Sequence, residues 1–152
     1  MPYELHKGDL FANAPENSIL VHACNAQGRW GRGIALEFKK RYYQGYLEHQ
    51  GLCTGQPSDR GTAHIVQNKV GCLITSLHYK PHDSVNNIVR NTGKAVRVLL
   101  KDVMENYSGH EIHSCRINVG LFHVPWELSE KQIKNALEET GDKVKWVVWE
   151  WP

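Results

Sequence analysis

Between Ser18 and Ala35 an apolar run (SILVHAC, ending at Cys24) meets Asn25, then three glycines within six residues (Gly28, Gly31, Gly33), then an amphipathic stretch from Ile34. This order reads as a buried strand that ends in a glycine-rich bend and passes straight into a helix. Glycines at such a junction leave backbone N–H groups unblocked beside the positive end of the helix dipole. The bend is therefore suited to an anion, phosphate or pyrophosphate above all. Its spacing is neither G-x-G-x-x-G nor a Walker loop ending in Lys-Ser/Thr, which argues against an ordinary dinucleotide dehydrogenase and against an ATPase. A tight turn that holds no ligand would use glycine in the same way.

The rest of the chain alternates strand-like and helix-like segments. Tyr3–His6 reads as a short strand running into Gly8-Asp9. After Ile34, Phe38, Tyr42 and Tyr46 recur every fourth position and predict one helical stripe, with Lys39, Lys40 and Arg41 on the solvated side. Gly51–Arg60 reads as a loop. Thr62–Gln67 and Gly71–Leu77 read as two strands turning at Asn68-Lys69. Asp83 or Ser84 suits the N-cap of a long helix whose apolar face includes Ile88, Ala95, Val96, Leu99 and Val103. Glu111–Asn118 returns as a strand, Ser129-Glu130-Lys131-Gln132 has the pattern of a capping box for a helix ending near Gly141, and Lys143–Trp149 is a final strand. Strands joined by crossover helices predict an α/β fold, a three-layer α/β/α sandwich with a mixed, mainly parallel sheet. A length of 152 residues, 41% of them hydrophobic, supports one core, so residues 1–152 are expected to form a single domain. Ligands of such sheets settle beyond the carboxyl ends of the strands.

Charge and apolar run length narrow the function classes. The 18 Lys and Arg against 16 Asp and Glu leave a formal charge of +2, so bulk attraction draws the chain neither to nucleic acid nor to an acidic membrane. The apolar runs fall far short of the roughly 20 residues a bilayer needs. Neither membrane nor nucleic acid is an expected partner, and with Trp146 and Trp149 in the final strand, single-stranded RNA binding through tryptophan stacking is disfavoured. The beginning of the sequence lacks a basic segment followed by an apolar one, which makes cytosol or nucleus the expected location. Cys24, Cys53, Cys72 and Cys115 contain no C-x-x-C pair, and Cys24 sits at the end of an apolar strand rather than within the amide-lined loop of a cysteine phosphatase. Among the nine histidines, His110 and His113 lack zincin spacing, and Pro81 interrupts His78 and His82. Reduced thiols, no metal site and no cofactor are the expectation.

A second loop, Arg116–Trp126 (RINVGLFHVPW), also leaves a strand, turns at Gly120 and carries Phe122 and His123. It is placed to close over the opposite side of a ligand. Together with Gly8-Asp9-Leu10-Phe11 and the stretch from His22-Ala23-Cys24-Asn25 to Gly31-Arg32-Gly33-Ile34-Ala35, this loop resembles the macrodomains, and within them most nearly the fungal ADP-ribose 1''-phosphate phosphatases. The motifs run in the same order from residue 3 to the final strand.

The resemblance implies a cleft for ADP-ribose or ADP-ribose 1''-phosphate, with ADP-ribosylated protein as a further possible partner, and a monomer. By position, it implies that Asp9 accepts a hydrogen bond from the adenine amino group, with Leu10 beside it. Ala23 and Asn25 meet the distal ribose, and Asn25 orients the attacked group. Gly31, Arg32, Gly33 and Ile34 surround the ribose and diphosphate, and Val119, Gly120, Leu121 and Phe122 form the second diphosphate loop. Three departures stand out: Arg32 replaces a common glycine, Val119 a small polar residue, and His123 another glycine. His22 matches a histidine of the fungal branch, and His22 or His123 is the expected general acid or base. The implied reaction is metal-independent removal of the terminal phosphate from ADP-ribose 1''-phosphate, a by-product of tRNA splicing. A macrodomain branch that removes ADP-ribose from glutamate uses a lysine and an aspartate where this chain has Ser76 and Phe122, so that activity is the alternative, with non-catalytic ADP-ribose reading as another.

Overall fold

The computed structural model describes residues 2–151. Among them the chain forms β1 (Tyr3–Lys7), α1 (Leu10–Asn13), β2 (Ser18–Asn25), α2 (Gly33–Arg41), α3 (Tyr43–Leu52), β3 (Ala63–Val66), β4 (Val70–Ser76), α4 (Val85–Asn106), β5 (Glu111–Ser114), α5 (Trp126–Glu139) and β6 (Trp146–Glu150). The strands make one sheet in the order β1-β6-β5-β2-β4-β3, parallel throughout except for the β3–β4 hairpin. The mixed, mainly parallel α/β sheet expected from the alternation is present.

β2 sits at the centre, and apart from Ala23 its residues are buried, as a strand covered on both faces requires. On one face Ile19, Val21 and Leu73 pack against Val96 and Leu99 of α4 and Ile133 and Leu137 of α5. On the other, Leu20, Cys24, Cys72 and Ile74 pack against Phe38 of α2 and Tyr46 of α3. These are the three layers. Among the described residues no helix is long and apolar enough to cross a membrane.

Three local expectations are corrected. The stripe Phe38-Tyr42-Tyr46 does not lie on one helix: the chain breaks at Tyr42 (φ −131°, ψ 56°), and α3 then runs to Leu52, into the segment read as loop. Residues four apart drift about 40° around a helix, so a straight rod would swing Tyr46 away from the core; the break turns it back. The strand expected over Glu111–Asn118 ends at Ser114, and Asn118 has φ 66°, which no strand accommodates. α5 begins at Trp126, behind Pro125, and Ser129 does not cap it: that hydroxyl is buried and accepts a hydrogen bond from Asn118 Nδ2 at 3.0 Å. By contrast, Ser84 does cap α4, accepting from the Asn87 amide at 3.2 Å.

Candidate active site

The exits of β2, β4 and β5 open into one cleft of about 380 Å³. Its first wall is the bend after β2. Asn25, at the strand's end, braces that bend from within: its Oδ1 accepts from the Gln27 amide (3.0 Å) and its Nδ2 donates to the Arg29 carbonyl (3.1 Å). Asn25 is thus the turn former that its position allows, with one amide proton left over for a ligand. Gly33, at φ 58°, starts α2 in the left-handed region that favours glycine. No side chain caps α2, so its first amides are free to meet an anion. Ala23, Gly31, Arg32, Gly33 and Ile34 all line the cleft, as expected.

The second wall follows β5. Gly120, Leu121 and Phe122 line the cleft, and so do Arg116, Ile117 and Asn118 just before them. Asn118 holds this wall through three buried side chains: Thr75 Oγ1 donates to its Oδ1 (3.0 Å), and its Nδ2 donates to Thr92 Oγ1 (2.9 Å) and Ser129 Oγ. Phe122 is buried against Ile88 and Val124, which fixes the loop's tip to α4. Val119, expected in the second diphosphate loop, is exposed and lies outside the lining.

Three arginines, Arg29, Arg32 and Arg116, line the same cleft. Arg32 lies 5.8 Å from the centre of the Tyr79 ring, another lining residue, and Arg116 pairs at 3.5 Å with Glu150. Tyr79 and Cys115 had no signal in the sequence; each follows a strand that only the sheet order brings beside β2. Burial, and then the nearby Asp9 carboxylate, push the Cys115 thiol up to about 11 against the pull of Arg116. Asp9 itself lies outside the lining: it caps α1, its Oδ1 accepting from the Phe11 amide at 3.2 Å. Leu10 is a core residue, 1% exposed, and makes no wall of the cleft.

The two histidines expected to move protons are placed otherwise. His22 borders the cleft floor, but its ring is 1% exposed, stacked on Phe38 at 4.3 Å and edge-on to Trp30, with both nitrogens against the Cys24 thiol. This is the packing of a core histidine. His123 is exposed, outside the cleft lining, with its ring 6.0 Å from that of His82. Ser76 is committed to its own loop, donating to the His78 carbonyl (2.7 Å) and accepting from the Asp83 amide (2.9 Å). Side chains able to hold a metal lie beneath the first wall, on the α2–α3 face: His22, Cys24 and Cys72, and next to them His49 and His64. Burial holds His49 down at about 4, and burial with the neighbouring Cys24 holds the Cys72 thiol well above its ordinary value.

A mainly parallel sheet with an arginine-lined cleft between two strand-exit loops defines an α/β protein built to take an anionic ligand. Residues 21–133 match the Macro domain family, and the chain belongs to it. It is 39% identical over 158 residues to the ADP-ribose 1''-phosphate phosphatase of Chaetomium globosum, spanning 89% of this chain and 83% of that protein. To the protein of the same name in Aspergillus oryzae it is 34% identical over 180 residues, spanning 89% and 87%. The fold matches the macrodomain of Mycobacterium tuberculosis DarG with a TM-score of 0.79 at 22% identity, over 97% of this chain and 96% of that one. It also matches the Trypanosoma brucei macrodomain solved in complex with ADP-ribose, with a TM-score of 0.67 at 14% identity, over 99% of this chain and 63% of that one.

Proposed function

We propose that the protein binds ADP-ribose 1''-phosphate in this cleft and hydrolyses its terminal phosphomonoester, giving ADP-ribose and inorganic phosphate. The observation that carries the reading is the meeting of Arg29, Arg32 and Arg116 with the uncapped start of α2 in one cleft. The substrate bears three phosphates' worth of charge at two points, and the cleft offers positive charge from both walls. The names of the fungal relatives support the same substrate.

In the reaction a water oxygen bonds to phosphorus as the bond from phosphorus to the anomeric oxygen breaks. One water proton stays with the phosphate, and the other goes to the departing anomeric oxygen. Such phosphoryl transfers pass through loose transition states, so holding the phosphate and neutralising charge matter more than activating the water. In this reading Arg32 and the α2 amides hold the terminal phosphate, and Asn25 orients the distal ribose. His22 is given a packing role in this reading, because its ring stacks on Phe38, stands edge-on to Trp30 and is 1% exposed. A serine already bonded on both sides at position 76 and a buried phenylalanine at position 122 weigh against the glutamate-directed hydrolase alternative. The reading also expects a monomer in cytosol or nucleus that consumes a by-product of tRNA splicing.

The test is phosphate release from ADP-ribose 1''-phosphate with and without added chelator, beside calorimetry with ADP-ribose. Equal release in both arms is expected. Binding of ADP-ribose without any release would make the protein a reader instead.

A further inference from the structure

On the α2–α3 face, below the first wall, four elements bring together a group of sulfur and imidazole donors. β2 contributes Cys24, β4 Cys72, β3 His64 and α3 His49, with Cys53 directly after the end of α3. The donor atoms of His49, His64 and Cys72 all lie within 4.8 Å of one another. The donor atoms of His22, Cys24 and Cys72 likewise lie within 4.8 Å of one another. His49 Nδ1 lies 2.7 Å from His64 Nε2, and Cys53 Sγ 3.4 Å from His49 Nε2. The surroundings are apolar, with Leu20, Phe38, Val66, Val70 and Ile74 in the same cluster.

Thiols and imidazoles gathered in an apolar core gain little from one another as neutral groups. They are strong partners for a soft cation. We propose that this cluster is a closed, zinc-type metal site in which Cys72, His49 and His64 are ligands and Cys24 supplies the second thiolate.

The geometry fits this use. Zinc bonds of about 2.3 Å to sulfur and about 2.0 Å to nitrogen set neighbouring donors of a tetrahedron roughly 3.3–3.8 Å apart. The three-residue group needs contraction within its present 4.8 Å limit and separation of the two imidazoles, which stand at 2.7 Å; Cys24, which shares that limit with Cys72 and His22 but not with both imidazoles, must also swing toward them. A set of two sulfurs and two nitrogens selects zinc over magnesium or calcium, which prefer oxygen. On loading, Cys24 and Cys72 each lose a proton, the imidazoles bind in their neutral form, and two protons leave for solvent per metal bound. The site adjoins the phosphate cleft, whose lining includes Cys24 itself. Cys24 is followed directly by Asn25, and Trp30, a residue of the first wall, packs 5.1 Å from the His49 ring. A bound ion would thus pin the end of β2 and α3 under the bend.

The experiment uses the full chain, expressed in zinc-supplemented medium, purified under reducing conditions, passed through chelator and gel filtration, and analysed for metal. About one zinc per chain is expected, with cobalt replacing it to give the visible absorption of a tetrahedral thiolate site. Release of the zinc by a mercurial thiol reagent should be stoichiometric. His64→Phe, at a half-buried strand position, should keep its far-ultraviolet circular dichroism and lose the metal almost entirely, as should Cys72→Ala. Should Cys72→Ala fail to fold, His64→Phe and the cobalt spectrum decide the matter. Absence of zinc from the reduced wild-type chain even after titration with zinc would overturn the proposal. So would full retention of zinc in the folded His64→Phe variant, or a cobalt spectrum without thiolate character.

Discussion

Two asparagines, Asn25 and Asn118, each stand where the chain leaves the sheet, and each braces one wall of the cleft, but they reach over different distances. Asn25 bonds the Gln27 amide and the Arg29 carbonyl, both within its own bend. Asn118 reaches Thr75 on β4, Thr92 on α4 and Ser129 on α5. The first wall is therefore a local device that can be altered without disturbing the sheet, and it carries exposed Gly31, Arg32 and Gly33. The second wall is part of the fold's framework. The contrast teaches that mutations of one residue type at matching positions should separate function from stability.

The largest effect belongs to Asn118→Ala. It removes three hydrogen bonds in a buried setting and places alanine at φ 66°. Each buried hydroxyl left short of a partner costs about 1 kcal/mol, and the left-handed backbone adds roughly another, so a loss of about 3–4 kcal/mol is expected. Thermal unfolding should show a fall in Tm on the order of 10 °C. A loss under about 1 kcal/mol would mean that the second wall is no more anchored than the first.

Asn25→Ala should invert the pattern. Its partners are backbone groups at the rim of the cleft that water can replace, so stability should fall by only about 1 kcal/mol. Turnover of ADP-ribose 1''-phosphate should drop about 100-fold, because the bend that orients the ribose loosens. Steady-state kinetics beside urea unfolding measure both, and an unchanged kcat would leave Asn25 as a turn residue alone. Arg32→Ala should do less. Arg32 is exposed, so its ion pairing with a phosphate is screened by water. A rise in KM of about tenfold is expected for the phosphorylated substrate, with a smaller weakening of ADP-ribose binding in calorimetry. Equal weakening of both ligands would move Arg32 away from the terminal phosphate.

The same contrast governs what the sequence made legible. The first wall is local in the chain, so its strand, its glycines and the helix after it are legible in order, and Asn25, Gly33 and Ile34 line the cleft. The second wall depends on contacts between distant residues. Asn118 reads as the end of a strand because nothing near it in the chain signals its left-handed backbone or its bonds to Thr75, Thr92 and Ser129, and Ser129 reads as a cap because its spacing to Gln132 mimics one. Asp9 matches a ligand position by its motif; in the structure its Oδ1 caps α1 and the residue stands outside the cleft lining. The donor cluster around Cys72 escaped spacing rules altogether. Residues separated by as many as 48 positions, such as Cys24 and Cys72, meet only because β2 and β4 pair in register with His22 opposite Cys72.

The smallest expected effect tests whether the root of the second wall is as closed as its tip. Cys115 follows β5 directly and lines the cleft, yet its pKa is raised to about 11 by burial and by the Asp9 carboxylate. Both influences penalise the thiolate, the species that reacts with iodoacetamide. At pH 8 roughly one molecule in a thousand should carry it, and the labelling rate at this position should climb about tenfold per pH unit until near pH 11. Peptide mapping by mass spectrometry isolates Cys115 from the other thiols, and ADP-ribose in the cleft should slow the labelling further. Asp9→Asn removes one of the two influences that disfavour the thiolate, so the rate at pH 8 should rise a few-fold. Labelling of the unaltered chain at pH 8 as fast as that of an exposed cysteine would show the root of the second wall to be open. The difference between the two walls would then lie at Asn118 itself rather than along the whole exit from β5.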